Sequence, residues 1–518
     1  MQRSISNFTH ELAHAARSAR ITKAQETLFD VAIIGGGIHG ACVAREAILR
    51  GCSVLLLEAT DYAFGTSSRS SKMYHGGLRY LEQFEFGLVR EALSEREIGL
   101  RTGRHLARPQ KFLFPIIKGQ TRPAWQIAIG LRLYDVLSKA FHKKVKGENL
   151  FPSSARESLE SPSAKLLFEM GLSFSALFSY YDAQMDDARI VVENVVDAAA
   201  LGAVTLNHAK VTSFERDSGS GVWSLHWSDS LTKQPHLSRA KYIINTAGPW
   251  VPQVHDSSGK SLSTYPQAIF SRGTHLLFDV SWPIEGLFLP TGTPGRNYWV
   301  LPFFSPRGRQ TLVGTTDVSV ERNEDDPQPS ESEILELLSF IKRDLPHSEL
   351  ARKSFYKAFA GMRILARKRS ITGKNSSSVS RKDVVISEPG YVTLVGGKYT
   401  TARHTAEKLF ILAAKEIGKA ISGSSQTRER SLPGAVGYSE IEKARILGLL
   451  RARFSDASEG ECLAVINRFG VKAQVVIQLA DELGVDLSQA QKEYAVRIEQ
   501  AVDEEDILRR RLLEALLP

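Results

Sequence analysis

A short apolar run, Leu28–Ile34, ends in Gly35-Gly36-Gly37-Ile38-His39-Gly40, and helical spacing starts at once behind it. Ala41, Ala44 and Ile48 fall on one face of that helix, and a second apolar run, Val54–Leu57, delivers Glu58 at its end. Strand, glycine turn, helix and strand in this order predict a parallel pair. The glycines permit a tight turn and a close backbone approach, the helix start offers unpaired N–H groups, and the acid can accept from ribose hydroxyls. Because every part stands in its required context, Gly35, Gly36, Gly37, Ile38, Gly40 and Glu58 read as a dinucleotide-binding fingerprint.

The fingerprint occupies a small part of 518 residues that are 42% hydrophobic and 24% charged, which excludes disordered and fibrous classes. At about 100–200 residues per unit, a chain of this length predicts about two to four units. The 66 basic against 57 acidic residues leave a formal charge of +9, which suits an anionic ligand, an anionic membrane face or nucleic acid. No basic stretch carries interleaved aromatics, so nucleic acid is set aside. Three cysteines, Cys42, Cys52 and Cys462, lack any CxxC spacing, so neither a disulfide framework nor a metal site is predicted. The sequence has neither a long uninterrupted apolar run nor a secretory cleavage pattern, which points to the reducing, cytosolic side. Residues 1–27 read as a frayed helical extension, and Glu11 and Glu26 argue against a transit peptide.

Farther along, a helical pattern spans about 186–201, with strand candidates near Val204, Val211 and Trp223 and at Tyr242–Asn245. Alternating segments follow at His275–Val280, Tyr298–Phe303, Thr311–Thr315 and Phe355–Phe359, with an amphipathic helix near Ile334–Ile341, and together predict a mixed sheet with helices on it. Val384–Ser387 and Tyr391–Val395 flank Pro389-Gly390 as a hairpin. Gly396-Gly397 then lead into helical spacing from Thr401, the polar stretch Ser422–Ser431 reads as a linker, and helical pattern dominates beyond Gly434.

The stretch Gly65–Glu82, GTSSRSSKMYHGGLRYLE, resembles the FAD-dependent glycerol-3-phosphate dehydrogenases. The resemblance continues in family order through Phe86–Glu97, Arg122–Trp125, Tyr181–Arg189, Thr246–Trp250, Gly314–Asp317, Gly396–Thr401 and Leu432–Gly434, covering about residues 28–510. It implies an α/β protein in which a Rossmann-like FAD-binding domain is interwoven with a mixed-sheet α+β substrate domain, followed by an all-helical C-terminal domain. The FAD-binding part would take about 28–118, 181–250 and 384–420, and the substrate part about 119–180 and 251–383. Residues 421–432 would link this core to the helical domain at 433–518.

The cofactor implied is FAD, with its adenosine end on the fingerprint, Thr66, Ser67 and Gly77 nearer the flavin, and Gly396, Gly397 and Thr400 at the ring's far side. Ala247 and Gly248 would make a second contact with the dinucleotide. The substrate implied is a small polyol phosphate, held by Arg79, Tyr80, Arg381 and Lys398, with His275 and Arg363 at the chemistry. His275, or solvent associated with Arg363, would take the hydroxyl proton while hydride leaves for the flavin. The activity implied is oxidation of sn-glycerol 3-phosphate to dihydroxyacetone phosphate, with electrons passed to a membrane quinone.

Trp125–Tyr134, followed by Lys139, His142, Lys143, Lys144 and Lys146, offers a helix that can either lie on an anionic membrane or simply pack. The C-terminal region lacks a D-x-D-x-D-G calcium loop of the kind mitochondrial relatives carry. A bacterial-type enzyme on the cytoplasmic face of the inner membrane is therefore expected, and a homodimer is left open. Three positions depart from the family pattern: Ile364 replaces a proline, Lys382-Asp383 follows Arg381, and Ala402 replaces a tyrosine. They keep two alternatives open, a flavin enzyme for another hydroxy acid or amine and a non-catalytic flavin-binding membrane protein.

Overall fold

The computed structural model describes residues 15–81, 84–142, 151–258, 267–293, 295–305, 308–367 and 383–513. Leu28–Ile34 and Val54–Leu57 pair in parallel, with the helix Ile38–Leu49 crossing between them. Leu28–Ile34 also pairs in parallel with Pro235–Asn245, which in turn pairs with Tyr391–Val395. Among the described residues this sheet has eight strands, in the central order 384–388, 391–395, 235–245, 28–34, 54–57, 204–206. Both faces are covered, which is why Val54–Leu57 is apolar at every position instead of alternating. On one face, the helix Ile38–Leu49 packs against Asp187–Ala200 and Ala402–Glu416.

Among the described residues, a second sheet of ten strands is antiparallel except where Gly286–Pro290 meets Ala107–Ile116. Its longest pairing joins Gln267–Phe278 to Lys357–Arg367, in a register that sets Ser271 opposite Arg363 and His275 opposite Phe359. Met73–Tyr74 and Ala107–Ile116 also pair in this sheet, although the sequence assigns them to the first unit. Apolar alternation shows that a segment is a strand; it does not show which sheet the strand joins. The missing proline at Ile364 costs no stiffness, because Ile364 lies inside this ladder opposite Phe270.

The C-terminal helices pack around Cys462, Ile466, Phe469, Val476 and Tyr494 and are tied to the first unit by buried charge. Asp61 is 0% exposed and accepts from Arg510 Nε at 2.5 Å, Arg511 Nη1 at 2.7 Å and Nη2 at 2.8 Å, and Asn207 Nδ2 at 3.0 Å. Arg189 meets Glu499 at 2.6 Å in the same interior. The stretch read as a linker is also anchored: Arg45 donates to the carbonyls of Arg430 and Ser431, and Arg430 pairs with Asp197 at 3.0 Å. Nor is the start of the chain frayed where it is described. Residues 15–26 form a helix whose Arg17 reaches Asp229 and Asn207, with Ala24 fully buried.

The guanidinium groups of Arg511 and Arg510 hold the Asp61 carboxyl well below the usual carboxylate range despite its burial. A depressed folded value contributes stability above the unfolded pKa and loses it as pH falls. Asp61→Asn is expected to cost about 3–5 kcal/mol at neutral pH, the scale for breaking a buried pair. In thermal denaturation the gap between parent and variant should shrink as pH drops below about 4; a gap that stays constant with pH would exclude the ion pair as its source.

Candidate active site

The sequence turns out of the first strand at Gly35 and enters the helix at Ile38, with Gly37 as its N-cap. A side chain at Gly40 would place its Cβ 1.8 Å from the Gly35 carbonyl oxygen, so the helix can approach the strand this closely only with glycine there. Glu58 ties the turn together: one carboxylate oxygen accepts from Gly36 N at 2.6 Å and the other from Thr60 N at 2.9 Å. Burial pushes its carboxyl upward, against the pull of those donors. Gly35, Gly37, Ile38 and Glu58 line the large cavity, whereas Gly36 and Gly40 act from behind, through the hydrogen bond and the close crossing.

The hydroxyl-rich loop Gly65–Lys72 forms the next wall. Ser67 Oγ accepts from Ile38 N at 3.0 Å, so the loop touches the helix start directly. The Thr66 hydroxyl donates to the Met362 carbonyl, joining the loop to the strand that carries Arg363. Its far end is fixed by Asp187, which pairs with Lys72 at 2.5 Å and accepts from Ser70 Oγ at 2.6 Å. Ala247, Gly248, Gly77, Gly396, Gly397 and Thr400 complete the cavity, whose volume is about 1080 Å³. This lies at the top of the range of about 300–1,000 Å³ usual for small-molecule clefts.

At the other end the cavity is cationic. Arg363 donates to Thr315 Oγ1 at 3.0 Å and lies 3.5 Å from Asp317 Oδ1, and Arg296 donates to the Asp317 carbonyl at 3.1 Å. The Lys398 ammonium sits 3.9 Å from the centroid of the Tyr80 ring, a cation–π contact. Arg363, Arg296, Lys398 and Tyr80 all line the cavity. Arg79 stands on the short helix Leu78–Leu81, but its side chain is outside the described structure, and Arg381 lies outside the described residues altogether. His275 does not line the cavity. It is 2% exposed, stacks on Phe359, and meets the cavity wall through Ser71, whose Oγ lies 2.9 Å from Nε2. Burial, with Arg363 and Lys72 nearby, lowers the imidazole to about 3.

A family profile described as FAD dependent oxidoreductase matches residues 30–406. The chain belongs to that family. Among relatives of this oxidoreductase, the D-erythritol 1-phosphate dehydrogenase of Brucella abortus is 34% identical over 93% of this chain and 93% of its own length. An aerobic glycerol-3-phosphate dehydrogenase of Staphylococcus saprophyticus is 35% identical over 75% of this chain and 67% of its own. A glycerol-3-phosphate dehydrogenase from Bacillus halodurans solved with FAD superposes with a TM-score of 0.71 at 24% identity, over 96% of this chain and 88% of that one, and this likeness speaks for the fold.

FAD is the cofactor of this oxidoreductase, and the cavity fits it. The helix start, the hydroxyls of Thr66 and Ser67, and the carboxylate of Glu58 meet along one continuous wall. The sequence did not single out Ser71, Asp317 or Arg296. Ser71 and Asp317 stand inside motifs that were recognised as blocks, while Arg296 sits in a turn without a motif. Gly40→Ala is expected to force the helix off the strand and yield protein without the flavin band at about 450 nm. A parent-like ratio of flavin to protein absorbance would refute the crossing as a requirement.

Proposed function

We propose that this oxidoreductase oxidises the secondary hydroxyl of sn-glycerol 3-phosphate, giving dihydroxyacetone phosphate, and passes the electrons to a membrane quinone. The observation that carries the reading is the cationic end of the flavin cavity, where Arg363, Arg296 and Lys398 converge beside neutral hydroxyl and aromatic groups. A phosphate suits guanidinium and ammonium donors, and a polyol suits neutral hydrogen-bonding groups. Bound FAD supplies the two-electron acceptor for a hydride leaving the carbinol carbon. The chain's own part is to hold the phosphate on its cations and to orient the carbinol. A second reading, oxidation of D-erythritol 1-phosphate, is favoured by the nearly full-length alignment to the Brucella protein of that name.

Membrane association is supported by the helix Ala124–His142. Its inner residues Leu131 and Tyr134 pack in the cluster containing Phe112 and Phe114. Its outer face exposes Trp125 at 63%, Ile129 at 59% and Val136 at 61%, with Arg132 and Lys139 exposed among them. Lys143, Lys144 and Lys146 lie outside the described residues. An apolar face edged by cations suits an anionic bilayer surface, and the inner membrane's cytoplasmic leaflet is the proposed location.

Anaerobic addition of sn-glycerol 3-phosphate should bleach the oxidised flavin, and comparing its kcat/KM with that of D-erythritol 1-phosphate separates the two readings. Flavin that neither substrate reduces would discard both. Arg363→Ala should retain flavin and lose at least about tenfold in kcat/KM, in line with the ~1.5–3 kcal/mol of a charged hydrogen bond. Trp125→Glu combined with Ile129→Glu should abolish co-flotation with anionic vesicles, and unchanged flotation would move the membrane face elsewhere.

A further inference from the structure

The two ring nitrogens of His275 differ: Nε2 lies 2.9 Å from Ser71 Oγ, while Nδ1 is buried with no hydrogen-bond partner among the described residues. A buried N–H without an acceptor costs more than a bare ring nitrogen in the same place, so the neutral tautomer with hydrogen on Nε2 fits this pocket. That hydrogen points at Ser71 Oγ. Ser71 then accepts from the imidazole, and its own O–H is free to donate into the cavity that Ser71 lines.

The neighbouring charges set which role the pair can take. Gly273 and His275 share one face of the strand Gln267–Phe278, two residues apart. A Cβ at Gly273 would fall 2.3 Å from Arg363 Nη2, so the guanidinium lies across that glycine, next to His275 on the sheet. The Lys72 ammonium, fixed on Asp187, acts on the ring from the other loop. Among the described residues, a proton placed on His275 would meet the cations Arg363 and Lys72, whose carboxylate partners Asp317 and Asp187 bond to them and not to the ring. In a nucleophile-activating triad an acid bonds to the ring itself. The ring is thus held neutral, consistent with its lowered pKa of about 3.

We propose that Ser71 is the wall group that receives the reacting oxygen of the polyol phosphate, and that His275 positions it as a neutral donor. The assignment rests on the polyol phosphate reading above. Phosphate held by Arg363 and Lys398 leaves the sugar oxygens to the neutral groups between those cations and the flavin-side hydroxyls Thr66 and Ser67. Ser71 stands on that same loop. Its O–H hydrogen-bonds the carbinol oxygen, and the hydroxyl proton leaves to water beside Arg363 and not to the imidazole. His275 is therefore a positioning residue, whereas Ser71 contacts substrate.

Stopped-flow reduction of the holoenzyme tests the assignment with whichever of the two polyol phosphates reduces the parent flavin. Ser71→Ala should keep flavin occupancy and spectrum, leave KM within a few-fold, and slow flavin reduction about 10²-fold, the scale for removing one preorganised donor. His275→Gln, which keeps an N–H donor, should recover most of the rate that His275→Ala loses. Parent-like reduction by Ser71→Ala, or His275→Gln as slow as His275→Ala, would overturn the proposal. A parent flavin reduced by neither compound would count against the substrate reading instead. In that case ¹⁵N NMR of the holoenzyme decides: a neutral Nε2–H tautomer of His275 at pH 7, identified by its loss in His275→Gln, supports the Ser71–His275 arrangement. An imidazolium or an Nδ1–H tautomer refutes it.

Discussion

Lys72 and Asp187, two charges almost wholly removed from solvent, fix the loop on which the whole cavity depends. Neither charge is tolerable in the interior alone, so each requires the other. Asp187 also takes the Ser70 amide and hydroxyl, and the Tyr399 hydroxyl donates to its carbonyl. One residue, through its carboxylate and its backbone carbonyl, thus gathers the loop after the second strand, the start of the helix Asp187–Ala200 and the turn before Ala402–Glu416. Thr66, Ser67 and Ser71 hang on that loop, and through the Thr66 hydroxyl it holds the strand bearing Arg363. Flavin-side and substrate-side groups are therefore parts of one rigid piece, which suits a reaction that requires two reactants to be set against each other to within about an ångström.

The same logic explains why the C-terminal helices belong to the cavity's support although, among the described residues, none of theirs lines it. Asp61 stands three residues beyond Glu58, on the turn that carries the fingerprint acid outward, and it is satisfied chiefly by Arg510 and Arg511. Gln500 reaches Tyr62 and Thr205 from the same direction. The turn that presents Glu58 is therefore shaped from below by residues more than four hundred positions later. Ser425 and Thr427 likewise bond Glu46 on the fingerprint helix, so a polar stretch that composition marks as a spacer is a strap across that helix.

The parts of the fold visible in the sequence are those governed by local rules. Leu28–Ile34, Val54–Leu57 and the helix at Ile38 could be read because period, glycine turn and terminal acid all lie within one crossover. The hairpin at Pro389-Gly390 could be read for the same reason. What could not be read depends on partners distant in sequence. Met73–Tyr74 is too short to carry a period, and its place in the second sheet follows from Gln184 and Ala183 opposite it. Residues 422–431 are mostly exposed, as their composition suggests, and what could not be read is that Ser425 and Thr427 are buried against Glu46. The block Gly65–Lys72 does not reveal which partner each hydroxyl takes: Ser70 and Ser71 both line the cavity, but the Ser70 hydroxyl is bonded to Asp187 while Ser71 meets His275.

On the proposal above, His275 takes a different part from the one its residue type suggests. A histidine near a carbinol invites the role of base, because its ordinary pKa is close to neutrality. Here burial and two adjacent cations remove that property, and the serine in front removes direct access. Lys72 is held on Asp187, whereas Arg363 lines the cavity, where the polyol phosphate reading gives it the anion to bind. A site that concentrates positive charge to hold an anionic substrate cannot also keep a nearby imidazole ready to accept a proton, unless a carboxylate stands behind the ring. Asp317, one of the acids lining the cavity, lies with Arg363 and Ser271. On the polyol phosphate reading, anion binding by Arg363 and proton acceptance by His275 thus compete for the same few ångströms.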